Sequence, residues 1–149
     1  MDLINQIKES AKSKKMRIVL PEGTEERTLK AADQAIEEGL ASIILIGNKD
    51  EIMGMATNFG LKHIDKASIV DLKQHAKKAA YTQLLFDIRQ SKGLSMEEAG
   101  RLVENPLYLA VLMIKAGDAD GEVAGADNAT GDVLRPAFQI VKTMPGISV

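Results

Sequence analysis

Ala41-Ser-Ile-Ile-Leu-Ile46 holds four large aliphatic residues in succession and no charge. A strand of that kind is apolar on both faces, and both must be covered. That is the condition of a parallel sheet with helices on each side. The flanking sequence supplies the helices. Leu29, Ala32 and Ile36 keep helical spacing before it, behind Thr24 as the expected N-cap and with Gly39 as the stop. Ile52, Met55, Ala56 and Phe59 keep the same spacing after it, between Asn48 as N-cap and Gly60.

The pattern repeats. Arg17–Leu20 is a short apolar run stopped by Pro21, Ala67–Val70 is a third, and Val123–Ala126 is the expected fourth strand. A short amphipathic helix over residues 3–12 carries Leu3, Ile4, Ile7 and Ala11 on one face. A long helix is expected over Leu72–Ser91, its stripe Tyr81, Leu84, Leu85 and Ile88, ended by Gly93. Ser95 and Glu98 form a capping box, Asn105-Pro106 opens a further helix, and Gly117 closes it. Alternating strands and helices predict an α/β fold, a three-layer α/β/α arrangement around a mostly parallel sheet. Ile18, Leu20, Ile44, Leu45 and Val123 are its expected core.

With 149 residues the chain fits one domain. Its net charge of −2 carries no nucleic-acid or membrane footprint, so an anionic ligand has to be met by individual arginines. The absence of cysteine excludes disulfides, thiolate metal sites and a cysteine nucleophile, and fits a cytoplasmic protein. Met1–Lys15 lacks the apolar segment of a signal peptide, and no apolar run reaches the ~20 residues that span a bilayer. Asp118, Asp120 and Glu122 lack the remaining ligands of a calcium loop and read as a turn after the Gly117 stop. His63 and His75 have no partner motif, and no P-loop or dinucleotide fingerprint occurs.

The chemistry concentrates between Gly117 and Pro136. There a strand feeds the small-residue loop Asp127–Asp132, which runs into a new helix with Arg135 at its mouth. Loops of this kind, at the carboxyl end of a parallel strand, offer backbone N–H groups to anions. Arg135 precedes Pro136, which biases it away from helical geometry. An ordinary connection and a surface arginine are the plainer readings of the same residues. Pro21-Glu-Gly-Thr-Glu-Glu-Arg27 is another strand-end loop, in which Glu22 and Arg27 either face a cleft or, the preferred reading, hold structure.

The run from Asn105-Pro-Leu-Tyr-Leu-Ala through Ala116-Gly-Asp-Ala-Asp-Gly to Asn128-Ala-Thr-Gly-Asp-Val-Leu-Arg-Pro-Ala-Phe-Gln-Ile-Val-Lys-Thr143 resembles the phosphate acetyltransferases (phosphotransacetylases). So does Ile18-Val-Leu-Pro-Glu-Gly-Thr-Glu-Glu-Arg27, and the likeness covers essentially the whole chain. The phosphate butyryltransferases are the near relatives. The resemblance implies that residues 1–149 are the N-terminal domain of a two-domain acyltransferase with an isocitrate/isopropylmalate dehydrogenase-like fold. Members of the family are about twice this length on general domain-size grounds. Pro145–Val149 reads as the start of a further strand. The second domain and a C-terminal segment are expected to lie beyond it, with the family's catalytic serine and aspartate.

The implied reaction is reversible acetyl transfer between coenzyme A and phosphate through acetyl phosphate. Coenzyme A is a substrate, and no metal or redox cofactor is needed. The resemblance places Arg89, Asn128, Thr130 and Arg135 on substrate-binding positions, no catalytic residue in this chain, and a homodimer for the whole enzyme. An isolated fragment is expected to be inactive. A non-catalytic acyl-CoA or anion-binding module, like the related regulatory domain of some malic enzymes, is the alternative.

Overall fold

The computed structural model describes residues 2–148. Four strands form one sheet: β1 Arg17–Leu20, β2 Ser42–Ile46, β3 Ser68–Val70 and β4 Gly121–Glu122. Their order is β3-β2-β1-β4, and every pairing is parallel. Seven α-helices accompany them: α1 Leu3–Lys14, α2 Glu26–Glu37, α3 Lys49–Asn58, α4 Lys78–Arg89, α5 Met96–Leu102, α6 Pro106–Lys115 and α7 Thr130–Pro136. A π-helical turn, Ala137–Val141, continues α7.

The expected alternation is present, and so are the two covered faces. Leu20, Ile43 and Leu45 pack with Leu29, Ala32, Ile52 and Ala56 of α2 and α3 on one side. Val19, Ile44 and Ile46 pack on the other side with Tyr81, Leu85, Val103, Leu109 and Leu112 of the α4–α6 layer. α6 is buried nearly all round, with six buried residues in ten, as a helix at the centre of a core must be. The Ser95–Glu98 capping box and the Asn48 and Asn105 N-caps form as the sequence reads.

Several boundaries differ. Glu25, not Thr24, caps α2, because its longer carboxylate reaches back to the Thr28 N–H. Helix α4 begins at Lys78 instead of Leu72, since Asp71 accepts the Lys73 N–H at 2.8 Å and folds that segment into a side-chain turn. Ile18 is only half-buried. Leu3, Ile4 and Ile7 of α1 are exposed. Pro145-Gly146 makes a turn and no strand follows through Ser148, while Val149 lies outside the described residues.

The largest difference is at the fourth strand. Pairing stops after Glu122, and Val123 is 65% exposed instead of buried. The Val123 N–H still reaches the Val19 carbonyl, but the next N–H groups turn away from the sheet toward a side chain. That side chain organises the functional region.

Candidate functional site

Strand order locates the crevice. From β1 the chain steps outward through β2 to β3, then returns across the α4–α6 layer to lay β4 on the opposite edge of β1. The reversal opens a gap between the carboxyl ends of β1 and β4, where ligands of such sheets bind. Two loops line it: Pro21–Glu25 after β1 and Val123–Ala129 after β4.

Glu22 joins them. One carboxylate oxygen accepts the N–H groups of Gly125 at 2.7 Å and Ala126 at 3.0 Å. The other accepts the Asp127 N–H at 2.5 Å and the Asn128 side-chain amide at 3.0 Å. Glu22 is 7% exposed, the one buried charged side chain among the described residues. Burial pushes its carboxyl up, but the four donors outweigh burial and hold it below its ordinary value. Gly23 explains why the glutamate comes so close: a Cβ there would stand 2.3 Å from the Ile46 carbonyl oxygen, so only glycine lets this loop press against the end of β2. Gly125, at φ +118°, supplies the matching bend on the other loop. Arg27 adds a bond to the Ala126 carbonyl at 2.5 Å while paired to Glu25 at 2.9 Å.

Glu22 and Arg27 thus make the structural contacts of the preferred reading, and of the loop expected over Asp127–Asp132 the Asp127 N–H is already engaged. Backbone N–H groups at Gly125, Ala126 and Asp127 are taken by Glu22 and are not on offer to a ligand. Helix α7 starts at Thr130, inside the segment expected as loop. Asn128 is half-buried with its amide turned to Glu22, and Thr130 is exposed on the first turn of α7.

Arg135 is not at a helix mouth. It lies within α7, 63% exposed, 3.6 Å from Asp132 one turn back. The helix runs through Pro136 in spite of the proline bias. It then widens into the π turn, in which the Lys142 N–H reaches the Ala137 carbonyl at 2.9 Å.

Arg89 ends α4 and lines a separate cavity of about 240 Å³ with Lys92, Gly93, Glu98, Tyr108 and Gln139. Sequence reasoning missed Lys92 as a neighbour of this site; the one-turn separation from Arg89 was the available signal. No hydrogen bond or ion pair engages the side chain of either cation among the described residues. Gln139 belongs to the π turn beyond Arg135 and accepts the Tyr108 hydroxyl at 3.0 Å, which ties that turn to α6. The fold thus brings Arg89 beside the continuation of α7, but neither Arg135 nor Asn128 lines its cavity.

Glu122, at the end of β4, is a second carboxylate close enough to feel the Glu22 charge. Its Oε1 is buried without a hydrogen-bond partner, and burial, with the Glu22 charge adding, pushes its carboxyl up to about 7. The other two acids of the suspected turn are held elsewhere. Asp118 accepts from Lys77 at 2.6 Å and Tyr81 at 2.5 Å, and Asp120 from Arg17 at 2.9 Å.

Residues 2–149 match the family model described as Phosphate acetyl/butaryl transferase. The chain belongs to that family. It is 46% identical over 149 residues to a phosphate acetyltransferase of Thermoanaerobacterium thermosaccharolyticum and 44% identical over 149 residues to one of Clostridium acetobutylicum. In both cases all of this chain aligns with 44% of the relative. Two solved structures share the architecture. The EutD phosphotransacetylase from Staphylococcus aureus superposes with a TM-score of 0.90 at 35% identity, over 99% of this chain and 44% of its own. A phosphotransacetylase from Streptococcus pyogenes gives 0.93 at 34%, over 100% and 46%. The chain spans less than half the length of these family members. No helix among the described residues is long and apolar enough to cross a membrane.

Proposed function

We propose that residues 1–149 form the N-terminal domain of a phosphate acetyltransferase and supply one wall of its cleft. The reaction would be acetyl transfer between coenzyme A and phosphate, with acetyl phosphate as the other acetyl carrier. The observation that carries the reading is the Arg89 cavity: two cations without partners among the described residues, close to the π turn that extends the helix of Arg135. Phosphate groups need charged forks of this kind, and a net charge of −2 supplies them nowhere else by bulk attraction.

The thiolate of coenzyme A attacks the acetyl carbonyl, the acetyl–phosphate bond breaks, and negative charge grows on the carbonyl oxygen and the leaving phosphate. Donors fixed in advance lower that barrier. Arg135 and Thr130 would face the reacting groups, Arg89 the distal phosphates of coenzyme A, and Asn128 the rim between the loops. The base that removes the thiol proton, with the catalytic serine and aspartate, is assigned to the second half of the family's length. Exposed Val123, Leu134, Phe138 and Val141 support a further unit packing on that edge. The whole enzyme is proposed as a cytoplasmic homodimer, with coenzyme A as a substrate and no cofactor.

The test is two measurements on the 149-residue chain. Calorimetry should detect coenzyme A binding that Arg89→Ala weakens. Acetyl-CoA formation from acetyl phosphate and coenzyme A should stay at background, because half a cleft lacks the positioning on which such rates depend. Turnover like that of a full-length family member would overturn the division of labour. Absence of coenzyme A binding would overturn the assignment of Arg89. Butyryl phosphate in place of acetyl phosphate, in a full-length form, separates acetyl from butyryl transfer.

A further inference from the structure

Four donors converge on one buried carboxylate at the switch point of the sheet, and the donors belong to the loop that carries Asn128 and leads into α7. A concave array of successive backbone N–H groups is what binds a phosphate in many α/β proteins. Here the array is already filled from inside the molecule. We propose that Glu22 is the positioning residue of the site: it fills the amide nest of Gly125–Asp127 and so fixes Asn128 and the start of α7 where an anionic substrate meets them. The proposal rests on the reading of the chain as the coenzyme A- and phosphate-binding half of an acyltransferase.

Three features make Glu22 more than a buried ion. It bridges segments 103 residues apart, so the geometry of one loop depends on the other. Its own place is set by Gly23, whose lack of a Cβ admits the Ile46 carbonyl at that point. The donors are shared two to each oxygen, which fixes the carboxylate plane and, through Oε2, the rotation of the Asn128 amide. The free face of Asn128 and the exposed Thr130 side chain are then left for substrate. A ligand anion does not enter the nest.

The experiment is amide-resolved NMR on the 149-residue chain, titrated separately with acetyl phosphate and coenzyme A. In the native chain the ligands should shift Asn128, Thr130 and Gly131 and leave Gly125–Asp127 in place. In Glu22→Gln the new amide opposes the donors at Oε2. Hydrogen exchange at Gly125, Ala126 and Asp127 should accelerate at least tenfold and both ligands should bind at least tenfold more weakly. Adding Asn128→Asp to that variant gives the introduced amide an acceptor and should restore part of the exchange protection, which a general loss of stability would not. Should Glu22→Gln not fold, Gly125→Ala distorts the same nest from the exposed loop, where a Cβ meets nothing within 4 Å but φ is +118°. The same two losses are expected.

Unchanged ligand affinity in a folded variant with accelerated exchange overturns the positioning role and leaves a structural tether. Ligand shifts at Gly125–Asp127 in the native chain overturn it by showing that the anion displaces Glu22. If neither ligand shifts any amide of the native chain, the acyltransferase reading of this half fails and the proposal falls with it; the exchange data then describe a tether alone.

Discussion

In the nest that Glu22 fills, every donor has its acceptor and the carboxylate is nearly inaccessible. In the cavity beside Arg89, a half-buried arginine and an exposed lysine have no side-chain partner among the described residues. Both regions sit at helix or strand ends and both are polar, but their groups are committed differently. Glu22 is committed to the fold, and its removal leaves donors unmet. Arg89 and Lys92 have no such commitment, so a ligand can engage them without breaking anything. Polar groups already satisfied from within hold shape; unsatisfied cations in a hollow are where binding free energy is available.

Substitutions can break that contrast or sharpen it. The largest effect belongs to the floor of the Arg89 cavity. Leu85 is fully buried and lines it from below. Leu85→Ala should cost about 4 kcal/mol in urea unfolding; a cost under ~1 kcal/mol would mean that the cavity is not built on the core. Next comes Glu22→Ala, which leaves three loop N–H groups and the Asn128 amide without their acceptor. About 3 kcal/mol is expected from the same measurement, and a neutral result would make the nest dispensable. Arg89→Ala should do the reverse: stability within about 0.5 kcal/mol of the parent and coenzyme A affinity down roughly ten- to a hundredfold. Equal damage to both quantities would erase the distinction between the two regions.

The last effect is on pH. Glu122, raised from 4.5 to about 7, keeps its proton in the folded state over a range where the unfolded chain gives it up. Its contribution is therefore fully present below about 4.5 and is lost as pH rises through about 7. Glu22, held below its ordinary value, acts in the opposite sense, and its stabilisation is lost in acid. Glu122→Gln should flatten the decline in unfolding midpoint between pH 5 and pH 7 in urea series taken at both ends of that range. A decline that persists would place the titration on another group.

Much of the fold was legible because its signals are local. Apolar runs, capping residues and helix stops each act within a few positions, so β1–β3 and the starts of α3, α5 and α6 read correctly. Asp71 and Glu25 shifted boundaries through side-chain bonds that compete with plainer caps. Val123 misleads because its apolar run reads as a strand, while the N–H groups that would continue it are claimed by a glutamate 103 residues before Gly125. Arg135 misled in another way: the proline rule is local and correct as a bias, but α7 runs through Arg135 and Pro136 regardless. Arg89 is proposed from family likeness. Its companion Lys92 and the hollow around both depend on how α4 meets the π turn, which no short pattern encodes.

The span between Glu22 and its donors has a temporal consequence. β1 pairs with β2 across a short excursion, but β4 reaches β1 only after the whole α4–α6 layer has been placed. Closing so long a loop before any contact compensates is entropically costly, and contacts of high sequence separation form late. A chain emerging from the ribosome therefore carries Glu22 as an unpaired acid until residues 125–128 have been made. The bond network that shapes the crevice depends on that long-range pairing, so an intermediate with a complete β1–β3 sheet alone would still have no site.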